Sequence, residues 1–216
     1  MTNNAKHNKV YVRFDSKIYN PPKWKRYDMR IRPGLWYNGY DGLKFGAVVA
    51  GDYMQVKNVF EFSLFLSSGV AQSYVKNLAA DGYPSRGRFN NISFNFDYRT
   101  ATSKFMKKSA IYLNAKSMDG LEAGMIGFER RSNNDKTRLY THLKAMWRDQ
   151  PQDIVYLINR SEWGYQKLNS AIHVGFEHKY SYSRGNGNLL LNARTSAFTN
   201  DYDFSAVSLT SVNKND

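Results

Sequence analysis

Along residues 89–100 apolar and polar side chains alternate with a period of two. Ile92, Phe94, Phe96 and Tyr98 point one way, and Ser93, Asn95, Asp97 and Arg99 point the other. Successive side chains on an extended backbone project to opposite sides, so this pattern predicts a strand with two unlike faces. In 138–148, Leu139, Thr141, Leu143, Ala145 and Trp147 oppose Arg138, Tyr140, His142, Lys144, Met146 and Arg148. In 168–180, Leu168, Ile172, Val174 and Phe176 oppose Asn169, His173, Glu177 and Lys179. Segment 188–198 sets Leu189, Leu191, Ala193 and Ala197 against Asn192, Arg194 and Ser196. Segments 10–19, 29–37, 43–54, 58–70, 109–118, 121–131 and 203–212 read the same way with less contrast. The pattern therefore predicts about eleven strands, with no amphipathic helix between them.

Length narrows the class. Many of these segments approach ten residues, and a tilted strand needs about 9–11 to cross the hydrocarbon layer of a membrane. Strands of soluble domains usually run to about 5–6. Turn chemistry predicts hairpins at Asp119-Gly120, at Asn38-Gly39 with Asp41-Gly42, and at Gly185-Asn186-Gly187-Asn188, because Gly, Asn and Asp tolerate positive φ. Two longer connections, 71–88 and 149–166, contain Pro84 and Pro151. Short turns and long loops are what membrane barrels show on their two rims.

Alternation does not say which face meets lipid. The polar faces mix charges with Asn, Ser, Tyr and Gly, which suits a wet lumen. Aromatic side chains at strand ends, including Tyr53, Tyr98, Phe128, Trp147, Trp163 and Tyr180, fall where interfacial girdles form. The expected fold is all-β: an antiparallel transmembrane β-barrel of the outer-membrane type, about eleven long strands, as an incomplete barrel segment. A polar N-terminal segment, 1–9, precedes a single barrel domain, 10–216. Residues 1–9 lack an apolar signal core, which reads as a mature form, a piece of a longer chain or a protein that is not exported. The chain also begins almost at the barrel and ends at Ser211–Asp216 instead of on a strand closing in an aromatic, so both ends look cut. The alternative is a soluble β-barrel or sandwich holding a hydrophobic ligand.

Composition removes other classes. No apolar stretch approaches the length of a membrane-spanning helix. The absence of cysteine removes disulfide scaffolds and thiolate zinc sites. The net charge of +13 is spread from Lys6 to Lys214 with no block of five, which disfavours nucleic acid as a partner. Dispersed basic charge suits loops beside anionic headgroups, a positive lumen, or solubility.

Candidate chemistry mostly fails. Of the four histidines, His7, His142, His173 and His178, none forms a His-Glu-x-x-His pair. His173 and His178 differ by an odd number, so on one strand they face apart. His142 and His173 could share a lumen wall, where they read as polar wall residues. There is no Gly-x-Ser-x-Gly elbow. Asp149 with Asp153, and Asp201 with Asp203, fall in predicted turns and read as loop charges. Gly185 and Gly187 precede no Lys-Ser/Thr pair and so are no phosphate loop. No catalytic, cofactor-binding or metal-binding residue is assigned, and no cofactor is expected.

The most distinctive stretch runs from Ile31 to Met54, with Arg32-Pro33-Gly34-Leu35-Trp36-Tyr37 and Leu43-Lys44-Phe45-Gly46 inside it. Together with Pro22-Lys23-Trp24 and Phe60-Glu61-Phe62-Ser63-Leu64-Phe65-Leu66, it resembles the C-terminal region of bacterial metallopeptidases of the membrane alanyl aminopeptidase type. In those proteins a zinc peptidase domain precedes a region similar to surface-antigen outer-membrane barrels. The resemblance is closest over residues 20–72. It implies a bacterial outer-membrane location and a barrel segment that anchors or helps export an associated peptidase, with a passage through the interior as a further option. The partners it implies are membrane lipid and an attached peptidase domain. The family's catalytic His-Glu-x-x-His helix matches no position here, so no catalytic role is carried over.

Overall fold

The computed structural model describes residues 9–15, 21, 23–38, 42–71, 92–102, 104–118, 121–148, 167–197, 200–201 and 203–215. Every described element is a strand: β1 (Lys9–Phe14), β2 (Arg26–Asn38), β3 (Gly42–Tyr53), β4 (Lys57–Ser67), β5 (Ile92–Ala101), β6 (Ser109–Met118), β7 (Leu121–Arg131), β8 (Thr137–Arg148), β9 (Leu168–Tyr182), β10 (Gly185–Ser196) and β11 (Ser205–Asn215). All but β1 span ten residues or more, and β9 reaches 15. They form one sheet of 11 strands in chain order.

From β2 to β11 each strand pairs antiparallel with the next. The fully antiparallel expectation fails at β1, which lies parallel to β2, with Lys9 opposite Arg26 and Phe14 opposite Ile31. This register keeps Val10 and Val12 beside Tyr27 and Met29, so the apolar face continues to the edge. It also lets Arg13 bond Asp28 at 3.2 Å. β1 ends at Phe14, where the Asp15 amide donates to the Ile31 carbonyl, and residues 16–19 of the strand expected over 10–19 lie outside the described residues. Among the described residues no pairing joins β1 to β11, so the sheet is open.

Glycines let large rings lie flat on the sheet. Tyr112 of β6 covers Gly127 of β7, and Tyr140 of β8 covers Gly175 of β9; a Cβ at either glycine would overlap the ring. Each ring then reaches a strand further on. The Tyr112 hydroxyl lies 3.3 Å from His142 Nδ1 on β8, and the Tyr140 hydroxyl donates to Asn192 Oδ1 on β10 at 2.5 Å. Phe65 of β4 does the same across Gly46 to Gly34 of β2. These contacts tie next-but-one strands together on one side of the sheet, a cross-strand use of aromatics that pins register.

The connections sort by rim. Those after β2, β4, β6, β8 and β10 leave one rim, and those after β3, β5, β7 and β9 leave the other. Both long connections follow β4 and β8, so both belong to the same rim. The opposite rim has short reversals. At Met54–Gln55 both residues have positive φ, next to a register slip between Gly51 and Tyr53. The β9–β10 turn is shorter than predicted: β9 extends to Tyr182, only Ser183 and Arg184 remain between strands, and Gly185 to Asn188 already belong to β10. The Asp119-Gly120 and Gly39–Asp41 turns, Asp149, Asp153 and Trp163 lie outside the described residues.

Candidate functional site

The register assigns every strand residue to one of two faces. On the Phe94 face, charge among the described residues is confined to Glu122 and Arg130 near the ends of β7 and to Lys57 where the β3–β4 register slips. Ile31, Leu35, Phe45, Leu64, Ile111, Ile126, Leu139, Ile172, Val174, Leu191 and Leu209 all lie on this face and all are exposed. The buried apolar residues are few and small: Val48, Ala50, Ala110, Ala171 and Ala197. An apolar face this large has no second layer over it among the described residues, and soluble monomers rarely expose one.

Aromatic residues gather toward the short-turn rim of the same face. Tyr27 stacks on Phe60 at 6.5 Å and donates to the Asn58 carbonyl at 2.6 Å. Tyr98 bonds Asn58 Oδ1 at 3.0 Å, and Tyr53 donates to the Trp24 carbonyl at 2.8 Å. On β9, Phe176, His178 and Tyr180 stack in succession, and Tyr182 lies tilted beside Tyr180. Of the aromatics singled out in the sequence, Tyr53, Tyr98, Phe128 and Tyr180 lie toward this rim, and Trp147 sits near the other.

The opposite face carries the charge. Glu129, nearly buried, is held between Arg99 and Arg138; the Arg138 Nε lies 2.9 Å from its carboxylate. Arg138 also approaches Glu177 at 3.8 Å, and Glu177 accepts from Asn188 at 3.3 Å. This chain of contacts crosses from β5 to β10. Asp28 is held by Arg13 and Arg26, and Asp52 by Arg30 at 3.1 Å. Glu61 faces Arg32 at 3.9 Å, and Asp97 accepts from Asn95 and Asn114. Lys44 is fully buried under Trp36, 4.8 Å from the ring, and donates to Ser93 Oγ at 2.7 Å.

The structure brings His142 and His173 together on this face as register partners, their rings stacked 4.5 Å apart. His178 lies on the other face and bonds Thr137 Oγ1 at 2.9 Å, as the odd spacing from His173 requires. His7 lies outside the described residues, which contain no group of three or more metal-ligating side chains. Asp201 accepts the Leu168 amide at 2.6 Å and Asp203 accepts from Ser196 at 3.2 Å, so this pair ties the β10–β11 connection to strand ends.

At the short-turn rim Lys108 donates to Asp135 at 2.8 Å and to the Asn133 carbonyl at 2.6 Å, clamping the β5–β6 turn to the β7–β8 turn. The Lys108 hydrogen bond holds the Asp135 carboxyl below its ordinary range. Sequence reading missed both this clamp and the Glu129 hub, because each joins residues whose proximity depends on strand register. No family model, curated protein or solved structure matches this chain.

Proposed function

We propose that this chain is the wall of an outer-membrane-type β-barrel in a bacterial outer membrane, with the Phe94 face against lipid and the Asp97 face lining a wet interior. The observation that carries the reading is the sorting of charge. Across ten consecutive hairpin-linked strands, one face presents exposed Leu, Ile, Val and Phe with charge only near strand ends, and the other holds the ion pairs. Lipid is the solvent that favours such an outward face, and a lumen is the place for the opposite one. Strands of about ten residues or more fit the hydrocarbon thickness. Both long connections leaving one rim, and short turns the other, match the asymmetry of barrels whose short turns face the periplasm.

The function this supports is anchoring in the membrane around a polar passage. Its association with a peptidase rests on the resemblance over residues 20–72. An open edge in lipid leaves backbone amides unpaired at several kcal/mol each, so the edges of β1 and β11 are paired in the membrane, by each other or by further strands. Gel mobility in detergent tests the reading: a closed barrel migrates differently before and after boiling. Identical mobility, together with a soluble monomer in the absence of detergent, would favour the soluble hydrophobic-ligand carrier and end the membrane proposal.

A further inference from the structure

We infer that the wet face forms an anion-selecting wall, centred on Lys144 and Arg194 beside the stacked His142–His173 pair; this rests on the barrel reading above. Neutralisation on that face is one-sided. Among the described residues, Asp28, Asp52, Glu61, Glu129 and Glu177 are each paired with arginine; Asp97 accepts from two neutral asparagine amides and is the one of these that keeps an unpaired charge. Lys116, Lys144 and Arg194 have no carboxylate partner among the described residues.

Lys144 lies between the other two cations, two strands and two residues along the sheet from each. Lys144 lies two residues beyond His142 on β8 and therefore on the same face, and Arg194 is the register partner of His173. Lys116 on β6 faces Ala123, whose partner on β8 is Met146. Ala171 lies opposite Lys144 on β9 and Ala123 opposite Lys116 on β7, while Met125 and Asn95 hold their other partner positions. On the alanine sides no large side chain covers the lysines, and both Lys144 and Arg194 are exposed. The two imidazoles add N–H donors and no negative charge. A low-dielectric wall around such a cluster concentrates field lines in the interior and raises the local concentration of anions. Rings of Lys and Arg are the charge pattern of anion pores. The solute class is therefore a small, hydrated anion, attracted without a dedicated binding pocket.

The test is the reversal potential of the full chain reconstituted in planar bilayers of neutral phosphatidylcholine, under a roughly tenfold KCl gradient kept near 0.1 M, where the screening length is about 10 Å. The expected potential has the sign of chloride preference. Lys144→Glu with Arg194→Glu should abolish or invert it, and Lys144→Gln alone should weaken it. Lys136→Glu, in the β7–β8 turn, should leave it unchanged. Raising salt should reduce the preference of the unaltered chain. Conductance that is cation-preferring, or indifferent to both Lys144 and Arg194, overturns this inference and leaves the barrel reading intact. Absence of any conductance alongside a heat-modifiable barrel overturns the passage and the selectivity together.

Discussion

Replacing Ile126 by lysine separates a lipid-facing sheet from a solvent-facing one. Ile126 is the middle residue of the 11-residue β7, on the Phe94 face, and is 52% exposed. At about 3.3 Å per residue β7 is about 36 Å long, and a tilt near 45° reduces its height to about 26 Å, matching the apolar band of about 25 Å in such barrels. If the Phe94 face meets lipid, Ile126 lies at the bilayer midplane. A lysine there costs about 2–4 kcal/mol, whereas one near the interface costs about 0–1. Ile92, the first residue of β5, lies on the same face at a rim and is 44% exposed. Ile126→Lys should therefore lower the folding equilibrium by roughly 30-fold to 1,000-fold, at 1.4 kcal/mol per decade, and Ile92→Lys by less than about tenfold. The assay is reversible urea unfolding of protein refolded into phospholipid vesicles. In water, a lysine at either exposed site would change stability by less than about 0.5 kcal/mol. Equal effects at the two positions, or no effect at Ile126, would refute the assignment of this face to lipid.

Other expectations follow from particular contacts. Glu129→Gln should destabilise by about 1–2 kcal/mol in the same unfolding assay, since Arg99 and Arg138 lose their shared carboxylate but remain partly solvated; a neutral result would show that the hub is dispensable. Gly175→Ala should cost about 1–3 kcal/mol because the new methyl overlaps the Tyr140 ring, and a double-mutant cycle with Tyr140→Ala should recover most of that loss. Tyr140→Phe alone removes the bond to Asn192 and should cost about 1 kcal/mol. The Asp135 carboxyl, lowered from 3.8 by Lys108, strengthens the turn clamp above that pH and loses its contribution as pH falls through the depressed value. Amide exchange at Arg131, whose N–H donates to the Lys108 carbonyl, should therefore accelerate only at acid pH, and Lys108→Ala should remove that pH dependence.

Strand positions were the most legible part of the sequence. Segments 109–118 and 121–131 coincide with β6 and β7, and the alternation of Ile92, Phe94 and Phe96 against Ser93, Asn95 and Asp97 survives as the two faces of β5. Periodicity succeeds here because it is imposed by the backbone itself, residue by residue. Ends were less legible: Gly185 to Asn188 carry turn residues yet extend β10, because pairing with Tyr182 to Lys179 and with Asn215 to Val212 outweighs local preference. The parallel placement of β1 had no local signal.

The sequence by itself determined a run of long two-faced strands and the division of apolar from polar side chains, since both are set by neighbours along the chain. Tertiary structure alone decided the company each side chain keeps. Glu129 between Arg99 and Arg138, His142 on His173, Tyr112 over Gly127 and Lys44 beneath Trp36 all join residues on different strands. A shift of one residue in any pairing would turn a strand's side chains to the other face and dissolve these contacts, so they exist only once the whole register is set.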